Sequence, residues 1–334
     1  MSFACRPSRL IPLLFACGAI LASAADYKGA IVIDADSGQM IFEDNADVVS
    51  PPASVTKLMT FLVVHDRLAA GMLTLQTPVV VNAEASTTGG SQVYLAEKEV
   101  FPVEDMLYAL MISSANDAAT ALAIHVAGSR NAFVELMNAR ARDLGMTRTT
   151  FRSPHGLPPS NRKITEGDLT SPRDLAVLSR HLLTQTDVLK YAAVKVRIFR
   201  PGPKQIEMRN HNNLLGKVAG VDGLKTGFTR GAGFCLAATA QRNGRRLIVV
   251  TMGSAESKVR DLAVADLIEK GFAALPPTPV LAIPGAGPAP ASVTPSAANL
   301  APGARPSGNP VITPAPAAAD EPPAVRFVLP GRKE

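Results

Sequence analysis

Three short clusters in this 334-residue sequence bring together residue types that can do nucleophilic chemistry. Ser54-Val55-Thr56-Lys57 opens an apolar-periodic stretch, residues 54–68, that reads as a helix stopping at Gly71. Positions i and i+3 share a helix face, so the Lys57 amine can stand beside the Ser54 hydroxyl. A serine alone is a poor nucleophile, but a neighbouring amine of lowered pKa can take its proton, and free N–H groups at a helix start can stabilise the oxyanion that forms. Ser114-Ala115-Asn116 supplies a hydroxyl and an amide from one tight turn between two helical stretches. Lys225-Thr226-Gly227 precedes Phe228-Thr229 in a β-rich run. On an edge strand its Lys and Thr would face a cleft, while the glycine would let substrate backbone approach.

Each cluster also has a plain structural reading, Ser114 as a helix cap and Lys225 as a solvated charge. The spacing of the first recurs at Ser160 and Lys163, in a loop after Pro158-Pro159 where nothing would hold the two side chains together. The weight lies in all three occurring in order, each in a suitable local context.

The elements that must position these clusters can be read from periodicity. Residues 29–34 form a strand, Asp36-Ser37-Gly38 a turn, and residues 39–42 the return. Residues 79–81 form a short strand. Helices follow over 103–111 and 116–126, from Ser129 to Gly145, and after the Ser171-Pro172 start. Residues 234–240 and 246–252 flank Arg242-Asn243-Gly244 as a hairpin, and a last helix covers 256–272. Strands at both ends with helices between them imply an α+β fold whose terminal strands share one sheet.

Both termini differ from this body. Arg6 and Arg9, the apolar residues 10–21, and Ala22-Ser23-Ala24 have the pattern of an export signal, residues 1–24, with lipoprotein processing at Cys17 as the alternative. Residues 276–334 hold fifteen of the 27 prolines and read as a disordered or polyproline-like tail, leaving residues 25–275 as the folded domain. Removal of the signal would leave Cys235 as the lone cysteine, a small buried hydrophobe rather than a nucleophile, with no disulfide and no metal cluster.

Composition narrows the options further. With 47% hydrophobic residues the chain has ample material for a core, and no apolar stretch is long enough to span a membrane. The net charge of +6 comes from interleaved acidic and basic residues, a mixed surface with a mild preference for anionic ligands. Export, dispersed charge, and the absence of Trp argue against nucleic acid as a partner.

Taken together, the motifs resemble those of the serine-type D-Ala-D-Ala carboxypeptidases, the low-molecular-mass penicillin-binding proteins of the β-lactamase/transpeptidase-like family. Pro52-Ala53-Ser54-Val55-Thr56-Lys57-Leu58-Met59-Thr60 is similar to the family's active-site string. Val221-Asp222-Gly223-Leu224-Lys225-Thr226-Gly227-Phe228-Thr229, with the later Ala232-Gly233, is similar to its third motif and sequel. Pro154-His155-Gly156-Leu157 and Ile31-Val32-Ile33-Asp34-Ala35 fit as well.

The resemblance covers residues 26–275 and implies an antiparallel sheet flanked by helices, with a mostly helical inserted subdomain. It implies Ser54 as the acylated nucleophile, Lys57 as its base, and Ser114 and Asn116 as proton relay and amide holder. Lys225, Thr226, Gly227 and Phe228 would bind substrate, the Ser54 and Phe228 N–H groups forming the oxyanion hole. Arg260 would help hold a terminal carboxylate, its other reading being a surface helix charge. His155 is expected to be structural.

The implied partners are the peptidoglycan stem pentapeptide as substrate and β-lactams as covalent inhibitors, with no cofactor. The implied setting is exported and periplasmic, free or peripheral at the inner membrane. Longer relatives carry a β-rich second domain and a C-terminal amphipathic helix; the Pro/Ala tail standing there has no apolar helical face. Rival readings are a β-lactamase, for which Glu166-Gly167-Asp168-Leu169-Thr170 only partly resembles the needed carboxylate element, and a DD-endopeptidase. A non-catalytic wall-binding module would have no use for the Ser54–Lys57 pair.

Overall fold

The computed structural model describes residues 26–275; the expected signal, Cys17 and the Pro-rich tail lie outside them. In chain order the elements begin with β1 (Gly29–Asp34), β2 (Met40–Asp44), a 3-10 turn (Ala53–Thr56) that runs into α1 (Lys57–Ala69), β3 (Pro78–Val80), α2 (Ala83–Ser86) and β4 (Val100–Pro102). There follow α3 (Val103–Ile112), α4 (Asn116–Ala127), α5 (Arg130–Asp143), α6 (Pro172–Gln185), α7 (Leu189–Ala192), β5 (Val196–Phe199) and β6 (Ile206–Arg209). The chain closes with β7 (Val221–Thr229), β8 (Gly233–Arg242), β9 (Arg245–Ser254) and α8 (Ser257–Ala274).

Strands from both ends pair antiparallel in the order β2-β1-β9-β8-β7, as the sequence implied. Alternation along the strands divides the core in two. Ala30, Val32, Leu236, Ala238, Leu247 and Val249 meet Val264, Leu267 and Ile268 of α8 on one face. Ile31, Ile33, Ala237, Ile248 and Val250 join the larger cluster on the other, with Leu58, Phe61, Leu62, Leu178 and Leu182. The β8–β9 turn carries Asn243 at φ +50° and Gly244 at φ +77°, the left-handed pair that a tight hairpin demands. Ser171 caps α6 by accepting from the Asp174 N–H, with Pro172 opening the helix.

One boundary moves. The helix expected from residue 54 begins at Lys57, and Ser54 sits on the preceding 3-10 turn. Pro51-Pro52 and a left-handed Ala53 (φ +48°) force a sharp entry, and the α-carbon of Gly156 lies so close over the Ala53 carbonyl that a side chain there would overlap it. The short elements β4 and β5–β6 escaped the sequence reading, because three or four residues are too few to show a period.

Candidate active site

Lys57 begins α1 with its side chain inaccessible to solvent. Its Nζ lies 3.0 Å from Ser54 Oγ, 2.6 Å from Asn116 Oδ1 and 2.7 Å from the His155 carbonyl. Burial pushes the amine well below the usual lysine range, and the positive charge of Lys225 pushes it the same way. The surroundings suit a neutral amine. Its two N–H bonds meet the Asn116 and His155 oxygens, and its lone pair is left for the Ser54 hydroxyl proton.

Asn116, the first residue of α4, is held from both ends of its amide. Its Nδ2 donates to the Gly89 carbonyl at 2.8 Å, and its backbone N–H to the Ser91 carbonyl at 2.7 Å. Gly90 has φ +81°, and a Cβ there would come within 2.5 Å of Asn116 Nδ2. The same loop is fastened to α4 by Asp117, whose buried carboxylate accepts from the Val93 and Leu95 N–H groups. Ser114 lies between α3 and α4 in the left-handed region, φ +57°, which is strained for a residue with a side chain. Its hydroxyl is buried and makes no hydrogen bond among the described residues. That is an exposed helix cap's opposite, and it fits a group kept for a ligand.

Lys225 and Thr226 are both buried on β7, the edge strand of the sheet. Lys225 Nζ donates to the Thr226 carbonyl at 3.0 Å, and burial followed by the charge of Arg260 brings its pKa down to about 7. The structure gives Gly227 a packing task that the sequence did not signal. A Cβ there would stand 2.5 Å from Pro52 O and 3.0 Å from Ser54 N, so the glycine lets the turn carrying Ser54 lie directly on β7. Phe228 is half exposed and stacks on Phe234 with ring centroids 4.1 Å apart. Arg260, on α8, is buried rather than a surface charge; its guanidinium lies 5.9 Å from the centre of the Phe234 ring and donates to Asp261 at 2.9 and 2.6 Å.

Sequence reading missed the supports. The Thr60 hydroxyl donates to the Pro154 carbonyl, one residue before the carbonyl that binds Lys57. Buried Asp168 accepts from Thr56 Oγ1 at 3.2 Å, Ser153 Oγ at 2.7 Å and Ser153 N at 2.9 Å, and Ser153 Oγ in turn accepts from Gly156 N. The side chain of His155 is structural, as expected: its Nδ1 accepts from the Leu157 N–H, and burial brings its pKa down to about 3. His211 also belongs to the neighbourhood; partial burial and the charges of Lys225, Lys57 and Arg260 lower its pKa to about 4. Backbone carbonyls carry no residue signature, and Thr60, Asp168 and His211 stand at no spacing that marks them as neighbours of Ser54.

Two other sequence expectations can be placed. Cys235 is fully buried with its thiol pushed up to about 11, an inert core residue. Lys163 pairs with Glu166 across an exposed loop, far in character from a buried base.

Comparison with known proteins agrees with this geometry. The family model described as D-alanyl-D-alanine carboxypeptidase, peptidase S11, matches residues 19–256. The D-alanyl-D-alanine carboxypeptidase DacC of Escherichia coli is 37% identical over 258 residues, covering 75% of this chain and 62% of its own length. A D-alanyl-D-alanine endopeptidase of Pseudomonas aeruginosa is 36% identical over 233 residues, 66% of this chain and 70% of its own. Ampicillin-bound penicillin-binding protein D2 of Listeria monocytogenes superposes with a TM-score of 0.66 at 32% identity, covering 74% of this chain and 98% of the neighbour. The chain spans about three fifths of the length of the curated carboxypeptidases it matches. With the family model matching residues 19–256 and the Ser54–Lys57 pair standing inside that span, the chain belongs to the peptidase S11 family of D-alanyl-D-alanine carboxypeptidases.

Proposed function

We propose that this protein is a serine-type D-Ala-D-Ala carboxypeptidase that removes the terminal D-alanine from peptidoglycan stem pentapeptides, acting as an exported, periplasmic enzyme. The observation that carries the reading is the Lys57 amine, shut off from water, 3.0 Å from the Ser54 hydroxyl and with two other acceptors to occupy its N–H bonds. Lys225, Thr226 and Arg260 hold the terminal carboxylate, which selects substrates with a free C-terminus. Ser54 Oγ attacks the preceding carbonyl carbon while its proton passes to Lys57 Nζ. The oxyanion is received by the N–H groups of Ser54 and Phe228.

As the tetrahedral intermediate collapses, the C–N bond breaks, and the departing D-alanine nitrogen takes a proton delivered through Ser114. Water then attacks the ester, Lys57 accepts its proton, and Ser54 is released as the alcohol. A β-lactam presents a strained amide to the same serine, and its ring nitrogen stays tethered, so the adduct persists. Glu166 lies on an exposed turn bonded to Asn161 and Lys163, which offers no support for the rapid deacylation of a β-lactamase. The setting outside the inner membrane is supported by the signal-like pattern of residues 1–24.

The experiment is D-alanine release from a stem pentapeptide by the native chain and by Ser54→Ala. Release by the native chain and none by the variant is expected; equal release by both would remove Ser54 from the mechanism. The endopeptidase relative favours a second reading, cleavage of crosslinked stems. Offering purified crosslinked dimers beside the linear pentapeptide separates the two, and the account predicts faster turnover of the pentapeptide.

A further inference from the structure

A cavity of about 630 Å³ lies between residues 87–89 and residues 152–160, and Ser54, Lys57, Ser114, Lys225 and Thr226 take no part in its lining. Gly89 and His155 do line it, and their carbonyls are the ones that accept from Asn116 Nδ2 and Lys57 Nζ. The cavity therefore backs onto the catalytic residues without opening on the serine. Its polar groups are unevenly used. Glu84 pairs with Arg130, and Glu166 with Lys163 and Asn161. The Thr87 and Thr88 hydroxyls donate to backbone carbonyls of α2, and Ser153 Oγ is committed to Asp168 and the Gly156 N–H. Arg152 is left over: it is exposed, and its guanidinium makes no ion pair or hydrogen bond among the described residues.

A second donor is built into the wall. His155 is only 6% exposed, and its Nδ1 accepts from the Leu157 N–H, which puts the ring proton on Nε2. Burial, then the charges of Lys57 and Arg130, bring its pKa down to about 3, so the ring stays neutral. The Nε2–H has no hydrogen-bond partner among the described residues, although side-chain polar groups this deep nearly always have one. It opens instead into the cavity that His155 lines. A rigid neutral N–H and an unpaired guanidinium thus share one cavity whose own acids are already engaged. That combination suits an anionic oxygen acceptor, a carboxylate above all.

We propose that this cavity is a second binding site, in which His155 Nε2–H and Arg152 hold a carboxylate of a neighbouring stem peptide while Ser54 works on the first. The proposal rests on the carboxypeptidase reading and adds a site to it. In that reading the substrate is a polymer that repeats its stems, each with free carboxylates. A contact to one stem makes the capture of the next an intramolecular event, at a raised effective concentration. The uncharged sugars of the polymer would satisfy the imidazole N–H but leave the guanidinium without a counter-charge. The gain appears only on substrates that carry several stems.

The test compares D-alanine release from an isolated stem pentapeptide and from soluble, uncrosslinked glycan chains carrying several such stems. The full native chain and Arg152→Gln are assayed, with penicillin labelling of Ser54 reporting that each is folded. Per stem, kcat/KM of the native chain should be about tenfold higher on the glycan chains. Arg152→Gln should lose that gain and keep the native rate on the isolated peptide. In parallel, native chain already acylated at Ser54 by a penicillin is titrated with a stem tetrapeptide while the His155 Nε2 resonance is followed by nitrogen-15 NMR. The resonance should shift and saturate, and should not move with a tetrapeptide whose carboxylates are all amidated. Equal rates per stem on the two substrates, a gain that survives Arg152→Gln, or a His155 signal that stays still or answers equally to the amidated peptide overturns the inference. Turnover of the isolated pentapeptide then leaves the carboxypeptidase reading intact. If the native chain releases D-alanine from neither substrate, that reading fails, and the inference with it.

Discussion

A lysine amine without access to water has to account for every polar atom it owns, and Lys57 does so with the neutral form. Two predictions belong at this scale. Lys57→Met should lower the acylation rate by a penicillin about 10²- to 10⁴-fold, the usual contribution of a positioned general base. Stopped-flow acylation of the variant at the native rate would contradict it. The second is a bell-shaped pH dependence of kcat/KM. Lys57 must be neutral, so the rate rises with pH through its lowered pKa; Lys225 must be charged to hold a carboxylate, so the rate falls above about pH 7 in the free enzyme. A bound carboxylate favours charged Lys225, so the alkaline limb of kcat should lie at higher pH than that of kcat/KM. A kcat/KM that climbs steadily to pH ~10, where an ordinary lysine titrates, would contradict this. Ser54, Lys57, Asn116 and Lys225 were legible in the sequence because side-chain type and spacing carry their chemistry. The His155 carbonyl was not, since any residue offers one.

At the scale of elements, the site depends on a 3-10 turn pressed between β7 and the loop that contains Gly156. Gly227→Ala would place a Cβ 2.5 Å from Pro52 O and 3.0 Å from Ser54 N, both backbone atoms that cannot swing aside. It should cut penicillin labelling of Ser54 by about 100-fold, since small misplacement of a nucleophile is costly, while the circular dichroism spectrum stays native. Labelling at the native rate would show that the turn and strand do not need this contact. Asp168→Ala should leave the Ser153 N–H and the Thr56 hydroxyl unsatisfied, and destabilise the domain by about 2–4 kcal/mol in urea unfolding. A change under ~0.5 kcal/mol would mean that water replaces the carboxylate. The sequence signalled the long helices and the terminal strands, whose caps and periods are strong, as with Ser171-Pro172 and Asn243-Gly244. It did not signal that Ser54 would precede the α-helix, because the left-handed Ala53 depends on room that Gly156, about a hundred residues away, leaves by having no side chain.

For the whole molecule, the consequence is that segments near residues 54, 116, 155 and 225 converge around one hydroxyl, and the two core clusters of the described residues pack on the two faces of one sheet. A chain limited to residues 26–275 should therefore unfold in one cooperative transition and label with penicillin as the full chain does. Broad, non-cooperative unfolding would show that the remaining residues contribute to the domain. The central claim is that this convergence makes Ser54 a nucleophile through Lys57. The measurement that addresses it most directly is the intact mass of the full chain after brief exposure to a penicillin, followed by peptide mapping. The account predicts one persistent adduct, on Ser54, absent from Ser54→Ala and formed far more slowly in Lys57→Met. An unmodified native chain, or an adduct mapped to another residue, would contradict it.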